Sequence, residues 1–222
     1  MENHYSHIAE FISLFNQTAR YHRRYEVFRD FVQMAVCALH NGIVHSPELE
    51  NEYLSIVKRY QREDVERLSQ LLGILVLGLS VTPGDFLGRV FMTLELGGSQ
   101  RGQFFTPYDV SQMMAKMTLT GIDKVMAGKP FITVSEPTCG AGGMVIALAE
   151  EFVAAGYHLQ RQFFVVCVDV DPVAAAMCFI QLTLLGIPAE VITGNSLTLQ
   201  HRRALRTAAY WLNGWQNRLQ DS

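Results

Sequence analysis

Ser135-Glu136-Pro137-Thr138-Cys139-Gly140-Ala141-Gly142-Gly143-Met144 lies between a short apolar run, Phe131 to Val134, and a helical one, Val145 to Ala155. A strand that turns through glycines into a helix makes a ligand site. The glycines let the backbone approach a ligand closely, and the amides at the helix start favour a carboxylate or phosphate. Further on, Phe163-Phe164-Val165-Val166-Cys167-Val168-Asp169-Val170-Asp171-Pro172 reads as a second buried strand ending in carboxylates, where a ribose could be held.

Outward from this pair the second half alternates. The spacing predicts strands over Phe131 to Glu136, Phe163 to Val170 and Glu190 to Thr193, with helices over Gly143 to Ala155 and Pro172 to Leu185. That order is βαβαβ, an α/β class with a parallel sheet and right-handed crossovers. Ahead of it, Thr106-Pro107-Tyr108-Asp109 has the form of a capping box: Thr caps, Pro takes the first helical position and Asp the third. The helix runs through Met113, Met114 and Met117, a row expected in the core. From His201 to Leu219 one more helical, polar-aromatic segment is expected. The first hundred residues read as helices, with Ser46 a cap ahead of Pro47 and a break at Pro83-Gly84. Gly97-Gly98-Ser99 marks the expected boundary between a helical domain, 1–98, and the α/β domain, 99–222.

Composition narrows the class. With 49% hydrophobic and 18% charged residues the 222-residue chain should bury a core, and a net charge of -3 argues against a global basic field for nucleic acid. Two local clusters mix cations with aromatics or stand alone: Arg20-Tyr21-His22-Arg23-Arg24-Tyr25, and His201-Arg202-Arg203 with Arg206. Either suits phosphates, and either suits a solvated helix face. Cys37, Cys139, Cys167 and Cys178 show no CxxC spacing and the histidines no HExxH, so neither disulfide nor metal is expected. Met1 to Glu10 is polar and does not read as a signal peptide, and Leu71 to Val81 is too short to span a bilayer, which points to a cytoplasmic protein.

The glycine run is not a P-loop, which needs GxxxxGK followed by Ser or Thr. It misses the dinucleotide fingerprint at Val145. It fits the S-adenosylmethionine (SAM) loop of methyltransferases. Gly102-Gln103-Phe104-Phe105-Thr106-Pro107 followed by Glu136-Pro137-Thr138-Cys139-Gly140-Ala141-Gly142-Gly143 resembles the N-6 adenine DNA methyltransferases, especially the modification subunit of type I restriction systems. Val168-Asp169-Val170-Asp171-Pro172 and Gly194-Asn195-Ser196-Leu197 match two further elements of that family, so the resemblance covers Gly102 to Leu197. It implies a Rossmann-like SAM-binding domain. It places Phe105, Thr106 and Pro107 beside the methionine end of SAM and Glu136 at its amino group. Thr138, Gly140 and Gly142 would bring backbone to the ligand, and Asp169 would take the ribose hydroxyls. Asn195, where the family usually has Asp, would reach the adenine amino group through its carbonyl oxygen. Each feature also has a purely structural reading. Thr106-Pro107 makes a good helix start, the glycines allow tight strand–helix packing, Asp169 or Asp171 caps the next helix, and Cys139 and Cys167 are small core residues.

The family transfers methyl through Asn, Asp or Ser followed by Pro-Pro and an aromatic residue. This sequence has no Pro-Pro pair, so no catalytic residues are assigned. The resemblance implies a truncated fold whose first strand lacks its fourth-strand neighbour. Something is expected to cover that edge: the His201 to Leu219 segment, a second copy of the chain, or a partner subunit. Two functions follow as expectations. One is a SAM-binding, adenine-methyltransferase-like protein of restriction–modification, inactive alone. The other is a non-catalytic protein that binds a restriction–modification subunit or DNA on a methyltransferase-like scaffold.

Overall fold

A computed structural model describes residues 2–97 and 104–220, and the chain divides into two compact units, 1–104 and 105–222. Gly102 and Gln103 of the first motif, and Gly98 and Ser99 of the expected boundary, lie outside the described residues. No helix among those described is long and apolar enough to cross a membrane.

The first unit is helical: α1 (Glu2–Gln17), α2 (Arg24–Asn41), α3 (Pro47–Val57), α4 (Arg62–Val81) and α5 (Phe86–Thr93). Their apolar faces converge on an aromatic cluster in which Phe11 meets Phe31 and Phe86 edge-on, and Phe28 meets Phe15 and Phe91. Ser46 caps α3 by accepting from the Leu49 amide, and Pro47 takes the first turn, as the sequence implied. Two buried carboxylates tie the helices together. Asp30 accepts from the Tyr60 hydroxyl at 2.7 Å and pairs with Arg59 at 2.8 Å. Asp64 accepts from the Ala19 amide at 2.9 Å and pairs with Arg67 at 2.6 Å.

The second unit is α/β: α6 (Tyr108–Thr118), α7 (Ile122–Met126), β1 (Ile132–Glu136), α8 (Gly143–Ala154), α9 (Leu159–Gln162), β2 (Phe163–Asp169), α10 (Pro172–Leu184), β3 (Ala189–Asn195), β4 (Gln200–Arg206), α11 (Ala208–Leu212) and α12 (Trp215–Arg218). The sheet order is β1-β2-β3-β4. The first three strands are parallel and β4 runs antiparallel to β3. Successive side chains on β2 serve opposite faces: Phe163 packs on Phe152 of α8, and Phe164 stacks on Trp215 of α12. Helix α10 is buried over the whole of Val173 to Leu182, which accounts for its lack of a polar stripe.

Three expectations need correction. Residues 200–206 form a strand, with Glu190 opposite Arg206 and their side chains paired at 2.9 Å; only 208–212 and 215–218 are helical. Among the described residues the sheet therefore has four strands, and β4 closes the edge at β3, leaving β1 as the other terminal strand. The His201 to Leu219 segment does not pair with β1. It packs on a sheet face, where Phe164, Tyr210 and Trp215 form a cluster with Phe131, Val166, Trp211 and Leu219. Second, Met113, Met114 and Met117 are exposed: α6 buries Tyr108, Ser111 and Ala115 instead, one turn apart on the other side. Third, α6 begins at Tyr108 with Pro107 at its cap, and the Thr106 side chain makes no capping bond.

Candidate functional site

Register brings three residues to one end of the sheet. Glu136 lies opposite Cys167, and Asp169 opposite Thr193, so Glu136, Asp169 and Asn195 all finish their strands at the carboxyl end of the parallel set. In open α/β sheets that end is where ligands bind.

The glycine loop folds over it. The Cys139 amide donates to the Val168 carbonyl at 2.9 Å and the Gly140 amide to Asp169 Oδ2 at 2.8 Å, which straps the loop across the end of β2. Gly140 and Gly142 have φ of 53° and 95°, in the left-handed region that favours glycine. A Cβ on Gly140 would come within 2.9 Å of the Phe105 ring, so this glycine also makes room for that side chain. Gly142 is the N-cap of α8, and no side chain caps the first turn. Beneath the loop, Gln181 is fully buried and its amide donates to the Ala141 carbonyl at 2.8 Å.

The carboxylates are only partly used. Asp169 accepts one backbone amide on each oxygen, Gly140 on Oδ2 and Asp171 on Oδ1 at 2.9 Å. A carboxylate offers about four lone-pair sites, so each oxygen can still accept a ligand hydroxyl. Glu136 Oε1 accepts from the Thr138 amide at 3.2 Å and hydroxyl at 3.4 Å. Asp171 caps α10 through the Val173 amide at 2.8 Å, leaving Asp169 for other work. Among the described residues no Lys or Arg forms an ion pair with Glu136, Asp169 or Asp171.

The other expected positions behave differently. Phe105 packs against Gly140, while Thr106, Pro107 and Thr138 are exposed. Asn195 Oδ1 accepts from the Leu197 amide at 2.9 Å and the Thr198 amide at 3.2 Å. Its carbonyl oxygen, expected at an adenine amino group, closes this turn, and the Nδ2 donors are what it has to offer a ligand.

The cluster Arg20 to Tyr25 is partly structural. Arg24 lies over the Phe15 ring at 4.6 Å, the Tyr21 hydroxyl accepts from the Gln61 amide, and His22 Nε2 lies 3.2 Å from the Arg59 carbonyl. Three residues of this cluster, Arg20, His22 and Arg24, help line a cavity of about 110 Å³ together with neighbouring Ala19. In the second cluster, His201, Arg202 and Arg203 stand on β4, not on a helix.

Sequence spacing gave no sign of one further group. Cys139, Cys167 and Cys178 come from the loop, β2 and α10, and their Sγ atoms lie within 4.8 Å of one another, all buried. Hydrogen bonds from the Cys139 and Cys178 thiols pull the Cys167 thiol below its ordinary range, and the same contacts push Cys139 and Cys178 up.

The N-6 DNA Methylase family model matches residues 88–211. No curated protein matches the sequence. Among solved structures the chain is similar to the type I restriction-modification system methyltransferase subunit from Streptococcus thermophilus, at 12% identity and a TM-score of 0.42, over 84% of this chain and 56% of that one. It is also similar to a protein assigned as a class I S-adenosylmethionine-dependent methyltransferase from Listeria monocytogenes, at 14% identity and a TM-score of 0.39, over 74% of this chain and 52% of that one. The chain spans about half the length of these structures.

Proposed function

The chain belongs to the N-6 DNA methylase family, and on that premise we propose that its second unit binds S-adenosylmethionine at the carboxyl ends of β1, β2 and β3. The observation that carries this reading is the charge of the site. Glu136, Asp169 and Asp171 surround a glycine loop, and among the described residues none of them is ion-paired to a cation. Such a site repels the phosphates that a glycine loop at a helix start would otherwise suit. It favours a ligand that offers hydroxyl donors and positive charge. SAM has both, in its ribose diol, ammonium and sulfonium.

The chain's own residues would then divide the work. Asp169 accepts from the ribose hydroxyls while holding the loop through Gly140. Glu136 faces the ammonium with the oxygen that Thr138 leaves unused. Phe105 packs beside Gly140 at the methionine end, next to Thr106 and Pro107. SAM, when bound, supplies an electrophilic methyl group. Nothing in this sequence corresponds to the Pro-Pro loop that holds a target amine, so this chain transfers no methyl to DNA by itself.

Titration of SAM into the purified protein by calorimetry tests the reading. Losing a charge-assisted hydrogen bond weakens binding by roughly 10–100-fold, which is the effect expected of Asp169→Ala and Glu136→Gln. A folded wild-type protein that binds no SAM overturns it. DNA adenine methylation by this chain, prepared from a methylase-free host, overturns the inactivity.

A second reading is favoured by β1, whose outer edge has no strand partner among the described residues. Parallel strands are ordinarily buried, and an open edge invites another chain. On this reading the protein is a scaffold whose β1 edge docks a restriction–modification subunit or a second copy. Sedimentation of the protein alone, and then with a type I modification subunit, separates these. A monomer that ignores the subunit removes the scaffold reading.

A further inference from the structure

The core beneath the glycine loop holds three cysteines that the cofactor site does not use. Cys139 is 6% exposed, and Cys167 and Cys178 are fully buried. They belong to three different elements, so only the folded α/β unit brings their sulfurs within 4.8 Å of one another. The backbone makes space for them: a Cβ on Gly142 would stand 3.1 Å from Cys178 Sγ.

The spacing suits a shared ion better than a covalent bond. Three sulfurs bound in a plane at about 2.3 Å from a metal lie about 4.0 Å apart, inside the observed limit. A disulfide needs two of them at about 2.05 Å, with the third left over. Among the described residues no other His, Cys, Asp or Glu joins the group, so an ion that demands four protein ligands finds only three. Zinc in structural sites takes four, whereas soft thiolate sets select copper(I).

We propose that Cys139, Cys167 and Cys178 form a three-sulfur site for a soft d10 ion, and that copper(I) is the ion it fits. Binding displaces one thiol proton to solvent, so that one thiolate offsets the single charge of copper(I) while the other two sulfurs bind as neutral thiols, and no net charge is left in the apolar core. The ion enters past Cys139, the member nearest the surface. Once bound it pins the residue that precedes Gly140, and with it the loop. This assignment stands whether or not the chain binds SAM.

The test is anaerobic titration of the reduced protein with copper(I) against a coloured chelator such as bicinchoninate. The expected result is a single ion retained per chain, with an ultraviolet sulfur-to-copper absorption. Outer-shell changes alone cost about 10–100-fold in metal affinity, so Cys139→Ser or Cys178→Ser should weaken retention by more than about 100-fold. Cys37→Ser, in the helical unit, should leave it unchanged. X-ray absorption on the wild-type complex needs no variant and should count three sulfurs around copper. Failure to compete with the chelator, retention that survives the loss of these cysteines, or zinc(II) held in preference to copper(I) would each overturn the proposal.

Discussion

The Gly140 amide donates to the Asp169 carboxylate at 2.8 Å, joining residues 29 apart in sequence. This bond makes the glycine loop and the end of β2 one structural unit. Asp169 must therefore be in place before any ligand arrives. Asp169→Asn keeps the size but replaces a charged acceptor by a neutral one, and turns one of the two acceptor positions into a donor. We expect a loss of about 1.5–3 kcal/mol in urea unfolding, the worth of hydrogen bonds to a charged group. Amide exchange at Gly140 and Asp171 should quicken in the same variant. Unchanged exchange would mean that the Cys139–Val168 backbone bond and the Gln181–Ala141 bond hold the loop without Asp169.

Gly140 is constrained twice, by its φ of 53° and by the Phe105 ring that a Cβ would meet at 2.9 Å. Gly140→Ala should cost about 1–2 kcal/mol for the left-handed backbone and more for the contact. Pairing it with Phe105→Leu should recover the steric part and leave the backbone part. A double-mutant cycle in denaturant reads the difference directly. If the two changes are additive, Phe105 does not pack on the loop in solution.

The parts of this architecture that were legible in the sequence are those whose signal is local. Glycines between an apolar run and a helical pattern, Asp171-Pro172 at a helix start and Ser46-Pro47 at another each declare themselves within a few residues. Strand β4 does not. Gln200-His201-Arg202-Arg203 carries no apolar alternation because both faces of this terminal strand are largely exposed, and its identity comes from pairing with β3. The methionines of α6 misled because helical spacing reports a stripe, not which side of the helix meets the core. Cys139, Cys167 and Cys178 were visible only as separate apolar contexts, since what unites them is the crossover that brings loop, β2 and α10 together.

Asp64 makes the helical unit sensitive to acid. Burial opposes its charge, but the Ala19 amide and the Arg67 guanidinium outweigh burial and hold its carboxyl below the ordinary carboxylate value. The folded state thus binds the proton more weakly than the unfolded chain does. Its contribution is complete at neutral pH, begins to fall below about pH 4, where the unfolded carboxyl titrates, and is lost as pH passes through the lower folded value. Asp64→Asn should lower stability at pH 7 by about 1–3 kcal/mol and flatten this acid limb. Urea midpoints of both proteins between neutral and acid pH check the sign. An unchanged acid slope in the variant would assign the acid response to other carboxylates.

Trp215 joins the last helix to the sheet. Its ring is fully buried, stacks on Phe164 with centroids 5.4 Å apart and meets Phe131 edge-on at 5.0 Å, while its indole N–H donates to the Gln160 carbonyl at 2.8 Å. Two variants separate these roles. Trp215→Phe keeps most of the ring burial but strands the Gln160 carbonyl, and should cost about 1–3 kcal/mol. Trp215→Ala also opens a cavity against Phe164, and should cost about 3–5 kcal/mol. Limited proteolysis reports where the loss falls. If α12 covers the sheet face, the Ala variant is cut first between β4 and the C-terminus, and a dye that binds apolar surface then reports exposed Phe164 and Phe131. Cleavage that begins instead in the helical unit would show that this cluster is not what holds the C-terminal segment to the sheet.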